Sequence, residues 1–301
     1  MKVRVPLALV RLGARLVSRR VLNPRLPWAV QRRRLDLLVS RWPLPRGTSV
    51  TKTTWDGVPV EVVTAAGTGA VTVVHFHGGG YCVGSPAEAR DWAAHLIART
   101  GCRVVLPEYR LAPEHPYPAA VDDARAVVSA ALREAAPGST LIVSGDSAGG
   151  GLALGVALSL PAATDSGARL AGCVLLSPWL DLTADWSALP EPARRDAVLT
   201  PDWLAACARA YVPTGDRAHP MVSPLHANLS GLPPLLIQCG TDDLVAPDAE
   251  KLAARAVAAG VDVTCRPWPG LWHDFTLQPE ITAAAGRAMG EAARFVARVA
   301  R

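Results

Sequence analysis

From residue 71 onward the chain alternates short apolar runs with longer segments of helical pattern, and this alternation constrains the fold more than any other feature. The runs are rich in β-branched residues and are apolar at consecutive positions, which is typical of strands buried on both faces. Segments with helical periodicity, such as 119–135 and 248–259, separate them. The pattern predicts an α/β fold with a mostly parallel central sheet flanked by helices. The predicted strands are VTVVHF, CRVVLP, LIVSG, CVLLSP, PLLIQC and DVTCRP.

Chain length and two segments without strand pattern indicate one domain with a cap. At 301 residues, of which 50% are hydrophobic, the chain has the size of a single large α/β domain. Residues 1–45 and about 180–225 depart from the alternation, and the second segment contains several prolines as well as Trp186 and Trp203. We therefore expect a single domain over residues 1–301, with these two segments forming a helical cap over one end of the sheet.

The N-terminal arm differs in charge from the rest of the chain. Residues 1–48 contain twelve Lys and Arg against the single acid Asp36, or +11, so the formal net charge of +5 leaves −6 for the remainder. The spacing predicts an amphipathic helix whose apolar face holds Val5, Leu9, Leu12 and Leu16. This helix is expected to pack on the domain's own apolar surface, with contact to a lipid surface as the alternative. No nucleic-acid-binding motif accompanies the basic arm.

Three observations bear on the location of the protein. Arg11 and Arg15 interrupt the apolar stretch that a secretory signal needs, so we expect the arm to be retained. No stretch reaches the about 18 uninterrupted apolar residues of a membrane-spanning helix. The six cysteines form no C-x-x-C pair and no metal-like cluster, and free buried thiols suit a reducing compartment. We expect a cytoplasmic protein without an integral membrane span.

Ser147 lies between a predicted strand and a predicted helix, within the sequence G-D-S-A-G. Gly145 and Gly149 keep side chains out of the turn, so a tight strand-to-helix turn can project the hydroxyl above the carboxyl edge of the sheet. This pattern predicts a nucleophile elbow. A serine that only caps the helix N-terminus is the alternative when the pentapeptide stands alone.

The sequence HFHGGGY at 75–81 supports the nucleophile because it directly follows the first strong strand. Three consecutive glycines expose backbone N–H groups that can stabilise the oxyanion of a tetrahedral intermediate. We expect donors from Gly79 and Gly80, with Gly78 as a further candidate, completed by the N–H of Ala148. A plain glycine-rich turn is the alternative.

A serine nucleophile needs a base, and the base needs a carboxylate that holds its tautomer. His273, in WPGLWHDF, follows a late strand in a loop containing Gly270, where the order Ser, Asp, His places the base. The strand that ends in QCGTDDLVAPD offers Asp242 and Asp243. We expect Asp243 to be the acid and Asp242 to be a solvated turn residue.

With these residues the chain resembles the hormone-sensitive-lipase-like family of α/β-hydrolases, in its bacterial branch with the GDSAG motif. The resemblance covers about residues 70–300 and includes EYRLAPEHPYPAAVDDA at 108–124, SPWLDLT at 177–183 and SPLHANLSGLPPLLIQCG at 223–240. It implies an α/β-hydrolase fold, with Ser147 as nucleophile, His273 as base and Asp243 as acid. The family's HGGG oxyanion motif falls on 77–80. One departure is TDDLVAPD around the acid, which leaves the choice between Asp242 and Asp243 as the least secure of these assignments.

The predicted activity is that of a serine carboxylesterase, which acts through an acyl-enzyme on short to medium acyl esters of hydrophobic or alicyclic alcohols. A lactone hydrolase, an acyltransferase or an amidase would use the same triad, and a non-catalytic small-molecule-binding protein on the same fold is disfavoured by the presence of His273. Apolar pocket walls are expected from aromatic and aliphatic side chains, each of which could instead only hold the cap on the body. These side chains are Tyr81, Trp179, Leu182, Trp186 and Trp203.

No metal-ligand cluster or nucleotide-binding fingerprint accompanies the predicted site, so neither a metal nor an organic cofactor is expected. The glycines after Ala148 belong to the helix of the elbow. The expected partner is a small-molecule ester, and no nucleic acid is expected. Peripheral contact between the arm and a lipid surface, and a homodimer, are left open.

Overall fold

The computed structural model describes residues 6–39, 44–136, 138–160, 168–185 and 195–301. Its centre is an eight-stranded sheet with the strand order β1-β2-β4-β3-β5-β6-β7-β8. Pairs β1–β2 and β2–β4 are antiparallel, and every other neighbouring pair is parallel. The strands are β1 Thr48–Trp55, β2 Val58–Ala65, β3 Val71–Phe76, β4 Arg103–Pro107, β5 Thr140–Asp146, β6 Arg169–Leu176, β7 Leu235–Gly240 and β8 Val263–Trp268. The predicted fold, a mostly parallel sheet flanked by helices, is confirmed.

Helices cover both faces of this sheet, as the consecutive apolar positions of its central strands require. Every residue of β5 is buried. Val143 faces a core shared with α4, α5 and α7, whereas its neighbour Ile142 faces a second core shared with α3 and α8. The helices are α1 Leu7–Val21, α2 Trp28–Val39, α3 Arg90–Thr100, α4 Ala119–Glu134, α5 Ser147–Ser159, α6 Pro201–Tyr211, α7 Ala246–Ala258 and α8 Ala283–Val299, with short 3-10 helices at Pro86–Ala89 and Pro224–His226.

The antiparallel edge of the sheet is a hairpin that the apolar runs did not predict. β1 is largely exposed, and it joins β2 through Asp56 and Gly57, which have φ angles of 46° and 85°. Positive φ at both central residues is the geometry of a two-residue hairpin turn, for which Asp-Gly is a favoured sequence. The turn signal was present, but β1 lacks the apolar run from which β3 to β8 were predicted, and β2 precedes residue 71, where the predicted alternation begins.

The orientation of α1 differs from the amphipathic pattern in the sequence. Leu9, Leu12 and Leu16, predicted to form the packed face, are 58%, 52% and 50% exposed. The opposite face, which includes Val10 and Val21, lines a cavity at the carboxyl end of the parallel strands. The predicted position of Val5 lies outside the described residues. The helix therefore packs through its smaller side chains and leaves the leucines in solvent.

Side-chain contacts from α2 hold this helix against α6 and against the loops that follow β3 and β4. Trp203 of α6 donates its indole N–H to Oε1 of Gln31 in α2, at 2.9 Å. Arg32 donates to the carbonyl oxygens of Cys82 and Ala112 and pairs with Glu114. No helix in the described part of the chain combines the length and apolar composition needed to cross a membrane.

Candidate active site

Ser147 occupies a strained turn where β5 ends and α5 begins. Its φ angle is 51°, in the left-handed region that non-glycine residues rarely adopt. A Cβ at Gly145 would overlap the backbone of Gly149, and a Cβ at Gly149 would overlap the carbonyl oxygen of Phe76. The turn can therefore form only with glycine on both sides of the serine. This is the geometry of a nucleophile elbow.

The glycine loop after β3 lies directly against this turn. A Cβ on Gly78 would come within 3.1 Å of Ser147 Cβ, and Gly79 and Gly80 have φ angles of 102° and 60°. In the described part of the chain, neither Gly79 nor Gly80 donates its N–H to a hydrogen bond. Ala148 is the second residue of α5, where backbone N–H groups have no partner within the helix. The loop and the helix end thus present unused donors beside the serine.

His77 and Tyr109 hold the glycine loop from behind. Nδ1 of His77 donates to the carbonyl oxygen of Gly78 at 2.8 Å, and the Tyr109 hydroxyl donates to the carbonyl oxygen of His77 at 2.7 Å. The two rings stack with centroids 4.2 Å apart. Burial lowers the pKa of His77 to about 4, so its imidazole is neutral near neutral pH. His77 is placed to support the loop rather than to exchange protons.

A buried polar group beneath the elbow was missed in the sequence. Nε2 of His75 lies 3.0 Å from Oδ1 of Asp146, and Nδ1 lies 3.0 Å from Oγ of Ser144. The imidazole also stacks on Trp92, with ring centroids 4.6 Å apart. Because Asp146 directly precedes Ser147, this network fixes the entry to the turn. A histidine within a largely apolar strand was the available signal, since a buried polar side chain requires partners.

His273 and Asp243 meet at the same edge of the sheet, although 30 positions separate them in the chain. Nδ1 of His273 lies 2.9 Å from Oδ1 of Asp243, and both side chains are buried. Val245 also donates its backbone N–H to this carboxylate oxygen, at 3.0 Å. Asp242 instead pairs with Arg11 of α1 at 2.6 Å. Of the two candidate acids, Asp243 is therefore the one in contact with the imidazole.

A second carboxylate, which the sequence analysis did not identify, contacts the other nitrogen of His273. Nε2 lies 3.1 Å from Oδ2 of Asp274, whose φ angle is 55°. In the described part of the chain no hydrogen bond joins Ser147 Oγ to His273. Burial alone would lower the pKa of His273, but the carboxylates of Asp243 and Asp274 outweigh it and raise that pKa well above its ordinary value. Burial raises the pKa of Asp274 to about 7, against the opposing effect of His273.

Asp196 connects the loops that carry the acid and the base. Its Oδ2 accepts from the backbone N–H of Leu244 at 2.9 Å, next to Asp243. Its Oδ1 accepts from the N–H of Val198 at 2.8 Å and from that of His273 at 3.4 Å. Burial and the neighbouring Asp243 raise the pKa of Asp196 to about 6.

Asp196, Asp243 and His273 form a group with the residue types that could ligate a metal. One potential ligand atom from each lies within 4.8 Å of the others. However, both oxygens of Asp196 already accept backbone N–H groups, and Oδ1 of Asp243 accepts from His273 and Val245. These hydrogen bonds support the imidazole and occupy three of the four carboxylate oxygens. The fourth, Oδ2 of Asp243, is buried and has no hydrogen-bond partner in the described part of the chain.

Ser147 and His273 line one cavity of about 420 Å³. Its walls are mainly apolar and come from α1, α2, the segment before α6 and the loop after β8. Its polar end holds, besides these two residues, Asp146, Asp274 and Glu88. Burial raises the pKa of Glu88 well above its ordinary value, which favours the neutral acid. The cavity therefore offers apolar volume next to one polar, reactive end.

The structure describes four of the five expected pocket side chains, and only one of these four lines the cavity. Trp203 lines the cavity. Tyr81, Trp179 and Leu182 are 2%, 0% and 1% exposed, lie in the core and do not line it. Tyr81 stacks on Tyr211 with centroids 3.9 Å apart, so its ring holds α6 to the body. Trp186 lies outside the described residues. Aliphatic side chains of α1 and α2, which carry no motif, form much of the wall instead.

The elbow, the adjoining glycine loop and the buried histidine–aspartate pair define an α/β-hydrolase. The α/β-hydrolase fold family matches residues 73–277. An acetyl-hydrolase of Streptomyces hygroscopicus is 36% identical over 226 residues, which cover 75% of each chain, and an esterase of Acinetobacter venetianus is 35% identical over 243 residues, 79% of this chain and 78% of its own.

The solved structures agree with the sequence relatives. A hormone-sensitive lipase from a metagenome library has a TM-score of 0.87 and 35% identity, covering 96% of this chain and 97% of its own. The chain belongs to the α/β-hydrolase family and, within it, to the hormone-sensitive-lipase-like esterases. The resemblance read from the sequence motifs is thereby confirmed.

Proposed function

We propose that this protein is a serine carboxylesterase with Ser147 as nucleophile, His273 as general base and Asp243 as the acid that orients it. One observation carries the proposal: the strained serine and the aspartate-bound imidazole line the same cavity, beside unused N–H groups of the glycine loop. A serine that only capped α5 would need neither a histidine nor free amides beside it. The names of the relatives, esterase and acetyl-hydrolase, support the same reaction class.

In the proposed reaction, Oγ of Ser147 attacks the ester carbonyl while Nε2 of His273 takes its proton. The N–H groups of Gly79, Gly80 and Ala148 stabilise the oxyanion, with Gly78 shaping the loop against the serine. His273 then protonates the departing alcohol and leaves an acyl-enzyme. A water molecule repeats the sequence and releases the acid. Asp243 keeps the imidazolium stable by accepting from Nδ1 throughout.

The reaction requires Nε2 of His273 to exchange partners. A neutral imidazole that donates Nδ1–H to Asp243 has a lone pair on Nε2, so the contact with Asp274 places one proton between these two groups. That proton occupies the lone pair that would deprotonate Ser147. We propose that the active form arises when the His273–Asp274 pair loses this proton and Nε2 turns to Ser147.

The cavity supports substrates with hydrophobic groups of moderate size. A volume of about 420 Å³ lies within the roughly 300–1,000 Å³ of ordinary small-molecule sites. The wall contributed by Val10, Val17, Leu35 and Trp203 favours apolar acyl or alcohol groups. We propose short to medium acyl esters of hydrophobic or alicyclic alcohols as the substrate class. We also propose that about residues 1–45 and 180–225 form a cap on a single domain spanning residues 1–301. The described parts of these two segments that line the cavity support this proposal.

The direct test is hydrolysis of p-nitrophenyl butyrate by Ser147→Ala and a matched control. Ser159→Ala changes an exposed serine at the far end of the same helix and is expected to keep the wild-type rate. Ser147→Ala should remain folded and lose activity by roughly 10⁴-fold or more, because the nucleophile is removed. A folded Ser147→Ala protein with the rate of the control would refute the assignment.

The acyl acceptor separates the related activities that share this triad. We expect water to be the acceptor with simple esters. Product analysis with a panel of acyl esters, alicyclic esters and lactones, with and without an added amine or alcohol, distinguishes an esterase from a lactone hydrolase, an amidase or an acyltransferase. If most of the acyl group is transferred to the added amine or alcohol and not to water, the protein is an acyltransferase.

A further inference from the structure

The two N-terminal helices carry an apolar outer surface that the fold does not use. Leu9, Leu12 and Leu16 of α1 and Leu37 of α2 are 58%, 52%, 50% and 53% exposed. The three leucines of α1 are spaced at i, i+3 and i+7, so they share one face of the helix. Val17 lies next to this face and joins it to Leu37 across a shallow groove between the helices. We call Leu9, Leu12, Leu16 and Leu37 the outer leucine face.

Exposed arginines border this face. Arg15 lies one turn after Leu12, and Arg20 lies one turn after Leu16. Arg33 and Arg34 are also exposed, on α2 beside Leu37. None of these four forms an ion pair with a carboxylate in the described part of the chain, whereas Arg11 and Arg32, which face the body, pair with Asp242 and Glu114. The unpaired cations therefore belong to the outer surface.

We propose that the outer leucine face binds the surface of an anionic lipid assembly. Leucines that enter the acyl boundary, flanked by arginines at the level of the headgroups, are the two contributions that hold an amphipathic helix in such an interface. A second copy of this chain fits less well, because a two-fold interface would bring the same arginines against each other. An anionic lipid surface offers both an apolar acyl region for the leucines and negatively charged headgroups for the arginines.

If the protein is the esterase proposed above, the position of the outer leucine face also affects how substrate reaches the cavity. The inner side of α1, through Val10, Ala14 and Val21, lines the cavity that holds Ser147. Ile281, another residue of the lining, is 47% exposed. A helix lying in the interface would place the cavity beside the lipid, so that esters of low water solubility reach the serine without crossing water.

The test measures binding alone, so it does not depend on the proposed function. The full chain is co-sedimented with vesicles of phosphatidylcholine and with vesicles of phosphatidylcholine mixed with phosphatidylglycerol. Leu12→Ser/Leu16→Ser removes the centre of the outer leucine face, and neither leucine lines the cavity. Val257→Ser is the matched control, because Val257 is a 61% exposed apolar residue on α7.

We expect the wild type and Val257→Ser to bind the vesicles that contain phosphatidylglycerol, and binding to weaken at high salt. Leu12→Ser/Leu16→Ser should bind at least roughly tenfold more weakly. Its melting temperature should stay close to that of the wild type, because neither half-exposed side chain packs against a hydrophobic core of the described residues. Absence of binding to both vesicles, or equal binding by the leucine variant, overturns the proposal. If sedimentation velocity instead shows a dimer that the leucine variant abolishes, without vesicle binding, the face is an interface between two copies.

Discussion

His273 lies between two carboxylates, with Nδ1 2.9 Å from Asp243 and Nε2 3.1 Å from Asp274. The first contact is the one that a serine hydrolase requires. The second competes with Ser147 for the nitrogen that must accept its proton. The activity should therefore depend on the pH at which the His273–Asp274 pair loses its proton and Nε2 becomes free to accept the proton of Ser147.

The first prediction concerns the acid limb of the pH profile. Because the pKa of His273 is raised, the imidazolium persists to higher pH than in an isolated histidine, and kcat/KM should rise with pH through a midpoint above the ordinary value of about 6.5. Asp274→Asn removes a carboxylate that stabilises the cation, so its midpoint should move to lower pH. Asp242→Asn, which pairs with Arg11 and not with His273, is the control. If kcat/KM rises with the same midpoint in the wild type and in Asp274→Asn, Asp274 does not raise the pKa of His273.

The second prediction separates the two neighbouring acids. Asp243→Asn should lower kcat about 10²–10⁴-fold, because the amide can no longer hold the imidazole in the required tautomer and charge state. Asp242→Asn should stay within a few-fold of wild type, since its loss removes only a partly exposed ion pair to Arg11. Steady-state kinetics at the pH optimum measure both variants. The reverse order of effects would move the acid to position 242.

The sequence predicts those parts of the fold and site that follow a short continuous motif or apolar run. It does not predict residues whose role depends on a contact between distant segments. The strands β3 to β8, the elbow glycines and the His273–Asp243 contact follow motifs or apolar runs that are short in sequence. Asp196 carries no motif, and it reaches Leu244 and His273 only because the fold brings together segments 48 and 77 positions apart. No periodicity within one segment reports such a contact.

The N-terminal helix shows a second limit, because periodicity identifies an apolar face without identifying its partner. Leu9, Leu12 and Leu16 give the amphipathic pattern, yet the body of the protein packs against the smaller Val10 and Ala14. The same reasoning applies to Tyr81 and Trp179, whose rings were assigned to the pocket by type but fill the core.

The third prediction tests Asp196 as a positioning residue. Asp196→Asn leaves an amide N–H₂ group where a carboxylate oxygen accepted the N–H of Val198, His273 or Leu244, so at least one buried donor loses its partner. We expect the free energy of unfolding to fall by about 1–3 kcal/mol. We expect kcat to fall roughly tenfold to a hundredfold with little change in KM, because the acid and base loops shift relative to each other.

Asp216→Asn serves as the control for that experiment. Asp216 makes a comparable contact to a backbone N–H, that of Ala218, but it is exposed and does not line the cavity. Denaturant unfolding and steady-state kinetics are measured for both variants. A loss of stability in Asp196→Asn with unchanged kcat would limit Asp196 to a structural role.

The fourth prediction uses the cavity wall at Gly13 of α1. A Cβ at this position meets no atom within 4 Å, so a larger side chain can enter the open space. Gly13→Leu should lower kcat/KM for bulky alicyclic esters several-fold more than for p-nitrophenyl acetate, because it reduces the apolar volume. Gly13→Ala is the control, and it should retain activity and gain up to about 1 kcal/mol of stability from its higher helix propensity. Equal effects of Gly13→Leu on both esters would place the substrate elsewhere.

The most direct measurement of the central claim is covalent labelling with a p-nitrophenyl phosphonate, which mimics the tetrahedral intermediate and stays on the nucleophile. Intact-mass and peptide analysis should show one adduct, on Ser147, formed in proportion to the loss of esterase activity. Ser147→Ala should remain unlabelled, and Asp243→Asn should react more slowly because its base is weakened. An adduct on another residue that accounts for the lost activity, or full inactivation without modification of Ser147, would contradict the account.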